Sequence, residues 1–264
     1  MLRLLDTLTG SYAEIRPAHP RLLRVAAHVQ PGAGEHDWAG VRVLLITDLL
    51  SRAAELRGLQ VLTAVVFPGP VPAQPGFAER AAGPLGIHPP AARATFAGAA
   101  ASLGGPVDVH IVRPAGSADT SPGGLVTRVG DTHVPIEGSA GVPAADALSG
   151  AADPLAIRLA LMSFPHHLVA DLTGSVLASA AETTRDWRQR VAEWAESPSQ
   201  PMPGRVSNAV EAAFGDLDTG QALALLRGLV QDASVPAGAK FETFAFADRI
   251  LCLELARQVG RLRP

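Results

Sequence analysis

The sequence predicts an α/β fold, a parallel sheet wound with helices, followed by an all-helical C-terminal bundle. Three observations predict it. Two short apolar runs, 22–29 (LLRVAAHV) and 60–67 (QVLTAVVF), flank a helical stretch at 41–57, which is the order of a βαβ unit with a right-handed crossover. Proline and glycine punctuate the first half densely and then thin out. From Asp153 onwards, apolar residues recur at helical spacing. The chain therefore divides near residue 150, into an α/β half (1–150) and a helical half (151–264), with no internal repeat.

In chain order, strand 22–29 leads through a glycine-rich turn, QPGAGEHDW, to the helix of 41–57. There Leu45, Leu49, Ala53 and Leu56 share a face and Gly58 fits the C-terminal cap. Strand 60–67 ends at the run PGPVPAQPG. An alanine-rich helix is expected within 90–103, a strand over 107–112 (VDVHIV) and a flexible turn over 114–124. Residues 125–129 and 133–136 could pair as short strands about Gly130-Asp131. Helices are then expected over 153–163, 174–196, 205–214, 219–230 and 241–261. In the second of these, Val176, Ala180, Trp187, Val191 and Trp194 outline an apolar stripe, with Glu182, Arg185, Arg188 and Glu193 largely outside it.

Composition narrows the chemistry. The 264 residues include 21 arginines but a single lysine, Lys240, and a single cysteine, Cys252. One cysteine excludes an intrachain disulfide framework and a paired-cysteine zinc motif. A net charge of -3 gives no general drive toward nucleic acid or an anionic membrane. The opening MLRLLDTLTG carries polar residues too early for a secretory h-region, and no stretch approaches the length of a membrane span, so a cytoplasmic location is the expectation.

The turn after the first long strand is the best ligand site, because loops beyond the carboxyl ends of parallel strands feed backbone N–H groups toward a ligand. His28, Glu35, His36 and Asp37 lie close to it, although a surface turn with satisfied polar groups would carry the same residues. It has neither the dinucleotide glycine spacing nor a Gly-Lys-Ser/Thr ending. Asp48, within the following helix, is either solvated or caps a neighbouring loop, with catalysis as a lesser reading. His166-His167 fits a turn between helices better than a metal pair, since adjacent helical residues face different ways. Cys252 in RILCLELA reads as a core filler, Gly174-Ser175 as a helix start, and no G-x-S-x-G elbow occurs.

LLDTLTG at 4–10 resembles the opening of cysteinyl-tRNA synthetase and its shorter relative, the cysteine ligase of mycothiol biosynthesis. HVQPGAGEHDWAGVRVLLITDLLSRAAELRGLQVLTA looks like the strand, signature loop and helix of that class I synthetase family. DPLAIRLALMS at 153–163 is similar to the segment after its KMSKS loop, and GDLDTGQALALL at 215–226 to a helical motif of the family. The resemblance implies a Rossmann-like, class I synthetase nucleotide-binding fold. It also implies ATP-dependent activation of cysteine, with a zinc ion on the substrate thiolate.

This chain departs from the family at each chemical station. Gln30 stands at the first zinc cysteine. The HIGH stretch falls on Asp37-Trp38-Ala39-Gly40, with Gly40 retained, and the KMSKS position on 133–140 (HVPIEGSA), which lacks lysine and carries Glu137. The expectation is a degenerate cleft bordered by His28, Asp37, Gly40 and His133, with no catalytic residue, no bound metal and no cofactor. The leading reading is a non-catalytic synthetase-like protein acting on a partner, a second copy of itself, or a small amino-acid or nucleotide ligand. An altered ATP-dependent cysteine or amino-acid ligase comes second. A tRNA-binding accessory protein comes third, since no basic stripe supports it.

Overall fold

The computed structural model describes residues 2–30, 36–113, 123–134 and 153–261. They form two compact units, the first from the N-terminal half together with 166–171, the second from the remaining described residues of the C-terminal half. The expected division near residue 150 lies outside the described residues, as does most of the turn expected over 114–124.

The first unit opens with a hairpin that the sequence did not announce: β1 (Arg3–Asp6) pairs antiparallel with β2 (Ser11–Glu14). Its turn is set by Asp6, whose carboxylate accepts from the Leu8 N–H, and by Gly10 at φ 69°, where a side chain would be strained. Then come β3 (Leu22–His28), α1 (Trp38–Glu55), β4 (Gln60–Phe67), α2 (Phe77–Ala82), β5 (Ala92–Thr95), α3 (Ala99–Ser102), β6 (Val109–Val112) and β7 (Leu125–Arg128). The last five strands form one parallel sheet in the order β5-β4-β3-β6-β7. Both faces are covered, as parallel sheets require. Helix α1 packs on β3 and β4, while Ala26, Ala64 and Val66 meet Ala99, Leu103 and Val107 on the other face.

Helix α1 starts one turn earlier than its apolar periodicity suggested, because Asp37 caps it by accepting the Gly40 N–H at 3.0 Å. It ends as expected at Gly58, φ 81°, where the Gly58 and Leu59 N–H groups close back on the Glu55 and Ala54 carbonyls. The alanine-rich helix expected within 90–103 is present as the short α3, but residues 92–95 before it form strand β5, because pairing with β4 overrides the helical preference of alanine. Another expectation is corrected. Among the described residues, which reach Val134 here, 125–129 and 133–134 do not make a hairpin: β7 joins β6 in parallel, and β8 (Thr132–His133) pairs in parallel with β9 (Ala170–Asp171).

Arg42, fully buried on α1, fastens this last region: its Nη1 donates to the carbonyls of Gly130 at 3.1 Å and Leu168 at 2.5 Å. A Cβ at Gly130 would collide with the Leu168 carbonyl, so only glycine lets these two backbones meet.

The second unit contains α4 (Pro154–Met162), α5 (Gly174–Trp194), α6 (Gly204–Gly215), α7 (Thr219–Gln231), α8 (Ala237–Leu251) and a 3₁₀ turn (Leu255–Gln258). Asp153, Thr173 and Asp218 cap α4, α5 and α7 through their side chains. Thr173, rather than Gly174-Ser175, therefore makes the cap of α5.

The expected last helix stops at Leu251. Cys252 and Glu254 both take left-handed φ values of 51°, and the Asp248 carboxylate receives the Leu253 and Leu255 N–H groups at 2.7 and 2.8 Å. Cys252 is thus a half-buried terminator, not an interior core filler. Arg188, expected outside the α5 stripe, is buried; it donates to the Leu253 carbonyl and pairs with Asp153. Lys240, the one lysine, is buried too, with Nζ donating to the Val230 carbonyl at 3.0 Å.

Candidate functional site

In the sheet order, β3 is flanked by β4, which follows it in sequence, and by β6, which returns from the far side. Connections leave β3 and β6 in opposite directions at this point, and the gap beyond their carboxyl ends is where open α/β sheets take ligands.

His28 ends β3, and His110 sits on β6 in register with Ala26, so the two rings share a face of the sheet. His28 Nε2 and His110 Nδ1 lie 2.9 Å apart, and Phe96, just past β5, packs against His28 with ring centroids 5.7 Å apart. Burial, and secondarily His110, push His28 down to about 4. Burial also lowers His110, partly opposed by the Gly123 carbonyl, although His110 Nε2 makes no well-formed hydrogen bond. The pair is therefore neutral at physiological pH, a polar but uncharged wall.

At the start of α1 the chemistry is different. The Asp37 carboxylate accepts the Gly40 N–H, and the same oxygen receives Arg113 Nη1 at 2.7 Å. Arg113 follows β6 directly, so this ion pair ties the end of β6 to the N-terminus of α1, with 8% exposure of the aspartate side chain. A Cβ at Gly40 would run into the Asp37 carboxylate, which makes glycine necessary for the cap to seat. The position where a helix N-terminus offers its N–H groups to an anion is filled by the chain's own carboxylate.

The four expected site residues thus fall into three local settings. Asp37 and Gly40 touch each other; His28 contacts His110 and Phe96; His133 contacts Asp171, Nδ1 to Oδ1 at 3.2 Å, on the exposed β8–β9 ribbon. Sequence reading missed His110 and Arg113, which are 82 and 76 residues from their partners. The one available signal was their position on and after the strand VDVHIV.

Asp48 is buried and braces a loop, accepting the His88 N–H at 3.1 Å and Arg52 Nε at 2.8 Å. His166-His167 forms an edge-to-face pair in a turn. Residues 135–140 of the expected KMSKS position lie outside the described residues.

No protein-family model and no curated protein matches the chain. Among solved structures it is similar to a provisionally assigned arginyl-tRNA synthetase from Campylobacter jejuni, at 9% identity over 91% of this chain and 90% of that one, with a TM-score of 0.52. The fold is of the class I synthetase type. At that identity the likeness concerns architecture, a parallel sheet followed by a helical bundle, and extends to an aminoacyl-tRNA synthetase fold in general rather than to the cysteine-specific members.

Among the described residues, the zinc ion implied by the cysteine-specific resemblance finds no fitting ligand set. Gln30 offers an amide where a thiolate is needed, and among the described residues no group of three or more His, Cys, Asp or Glu side chains could hold a metal. Among the described residues no helix is long and apolar enough to cross a membrane.

Proposed function

We propose that this chain is a class I synthetase-fold protein that acts by binding and does not activate an amino acid with ATP. One observation carries the reading: the Asp37 carboxylate occupies the N-terminus of α1 and is neutralised there by Arg113. A triphosphate entering that position would have to displace a cap and an ion pair together, and would meet negative charge where charge-stabilising donors are required. Arg113, the cation best placed to receive a phosphate, is already engaged.

What the crevice keeps is the neutral His28–His110 pair beside Phe96, a surface suited to an uncharged ligand or to the side chain of a protein partner. A second copy of this chain is one such partner, and the cytoplasm its expected compartment. Binding at such a surface needs neither lysine nor metal, in keeping with a lone lysine that is engaged in the helical unit.

Calorimetric titration with ATP and with a cysteinyl-adenylate analogue tests the reading. No heat beyond dilution is expected at submillimolar concentrations. Micromolar binding of either would end the non-catalytic proposal and leave the altered ligase as the leading reading.

A further inference from the structure

A cavity of about 360 Å³ lies between α1, β4, α2 and the loop 83–90, on the sheet face opposite the His28–His110 pair. This is within the size range of small-molecule sites. Its walls are mainly apolar, from Ala27, Leu44, Val65, Ile87 and Pro89. Small residues keep it open: Ala82 and Gly83 stand where larger side chains would fill it.

The polar part of the lining has a chemical bias. Thr47 Oγ1 donates its proton to the Val43 carbonyl at 2.9 Å, and Ser51 Oγ donates to the Thr47 carbonyl at 2.8 Å. Each hydroxyl has one proton and two lone pairs, so what both have left to offer is acceptance. Both are nearly fully buried. Two carboxylates, Asp48 and Glu79, join them in the lining. Arg52 and Arg93, which pair with these carboxylates at 2.8 and 2.7 Å, do not line the cavity. Thr63 and His88 complete the polar lining, the His88 N–H already donating to Asp48; against them stand two carboxylates and two hydroxyls whose protons are committed, so acceptors predominate while Arg52 and Arg93 lie outside.

We infer that this cavity is a binding site for a small, mainly apolar molecule that carries one hydrogen-bond-donating head, an amine or an alcohol. The head meets the hydroxyl oxygens of Thr47 and Ser51 and the rim of the Asp48 carboxylate, and the body fills the space between Leu44, Val65 and Ile87. At Thr47 and Ser51 an acceptor-only head such as an ether or ester would leave buried lone pairs facing lone pairs and is disfavoured. The site is separate from the β3–β6 crevice and does not depend on the reading proposed for that crevice.

Three probes of matched shape test the inference on the full chain: 2-phenylethanol, 2-phenylethylamine and 2-phenylethyl methyl ether, each titrated while backbone amide resonances of Gly83 and His88 are followed. The tighter of the two donor probes is expected to saturate and to bind at least tenfold more tightly than the ether. Thr47→Val combined with Ser51→Ala preserves shape and is expected to bring that probe to the level of the ether. Ala82→Leu is expected to abolish binding of all three. Absence of saturation by every probe, or equal binding of the ether, overturns the inference. The comparison among probes on the unsubstituted protein decides the matter even if a variant fails to fold.

Discussion

His28 Nε2 lies 2.9 Å from His110 Nδ1, so one of the two rings donates and the other accepts; the bond needs at least one neutral ring, and burial disfavours charging either. Burial and the neighbouring imidazole push His28 from 6.5 down to about 4. Between these values the unfolded chain binds the extra proton and the folded chain does not. The contribution is complete above pH 6.5 and is lost as the pH falls toward 4. At about 1.4 kcal/mol per pH unit, the loss attributable to His28 approaches about 3 kcal/mol. Urea midpoints measured from pH 4.5 to 7.5 should drop steeply on the acid side. In His28→Gln, which still hydrogen-bonds but does not titrate, that slope should flatten by more than half. Parallel curves for the two proteins would show that the pair is not the origin of the acid lability.

Asp37 performs two jobs that substitution can separate. Asp37→Asn keeps an oxygen for the Gly40 N–H but gives up the charge facing Arg113; Asp37→Ala loses both. Loss of an N-cap costs about 1 kcal/mol, and loss of the partly buried ion pair a similar amount. Asn is expected to cost about 1 kcal/mol and Ala about 2 kcal/mol in denaturant unfolding. Equal costs would mean that the capping bond contributes nothing.

How much of this was readable beforehand depends on whether the deciding contact is local. β4 was located to the residue because an apolar run is bounded by the Gly58 cap and by Pro68. Four helices after Asp153 were legible from periodicity, whereas the last was expected to reach 261 and stops at Leu251, where the Asp248 carboxylate gathers the Leu253 and Leu255 N–H groups. β5 was not legible, because ARAT has the composition of a helix. It becomes a strand through pairing with β4, with Ala94 inward and Arg93 reaching Glu79. The parallel pairing of β8 with β9, 38 residues apart at His133–Asp171, leaves no local trace, so adjacency suggested a hairpin instead. The site behaves alike: Asp37 and Gly40 are neighbours and could be read together, whereas His110 and Arg113 arrive only through the sheet order.

Arg42 offers a test of how the segment 166–171 is held to the first unit. Burial lowers its pKa to about 10, which leaves it charged at neutral pH, and its guanidinium meets the Gly130 and Leu168 carbonyls. Arg42→Met keeps much of the volume and leaves buried carbonyls without their donor, at a cost of about 2–3 kcal/mol. Hydrogen exchange should localise the loss. The amides of Gly130 and Ala170, bonded to His166 and Asp131, are expected to exchange at least tenfold faster, while those between β3 and β4 keep their protection. Uniform acceleration through the sheet would instead mean that Arg42 supports the whole unit.

Two glycines in the helical unit should respond to alanine with opposite signs. Helix propensity alone favours alanine by up to about 1 kcal/mol at an interior position. At Gly228 on α7 nothing stands within 4 Å of an added Cβ, so Gly228→Ala should stabilise the protein by that order. At Gly238, in the first turn of α8, the added carbon would strike the Pro198 carbonyl and come within 3.3 Å of the Gln200 nitrogen. Both obstacles are backbone, which cannot rotate away, so the 198–200 segment must shift. Overpacking of this kind costs about 1–3 kcal/mol and outweighs the propensity gain. Thermal unfolding of the two variants should therefore move the midpoint up for Gly228→Ala and down for Gly238→Ala. A rise for both would show that the segment at Pro198 yields freely and that close packing against α8 is not what holds it.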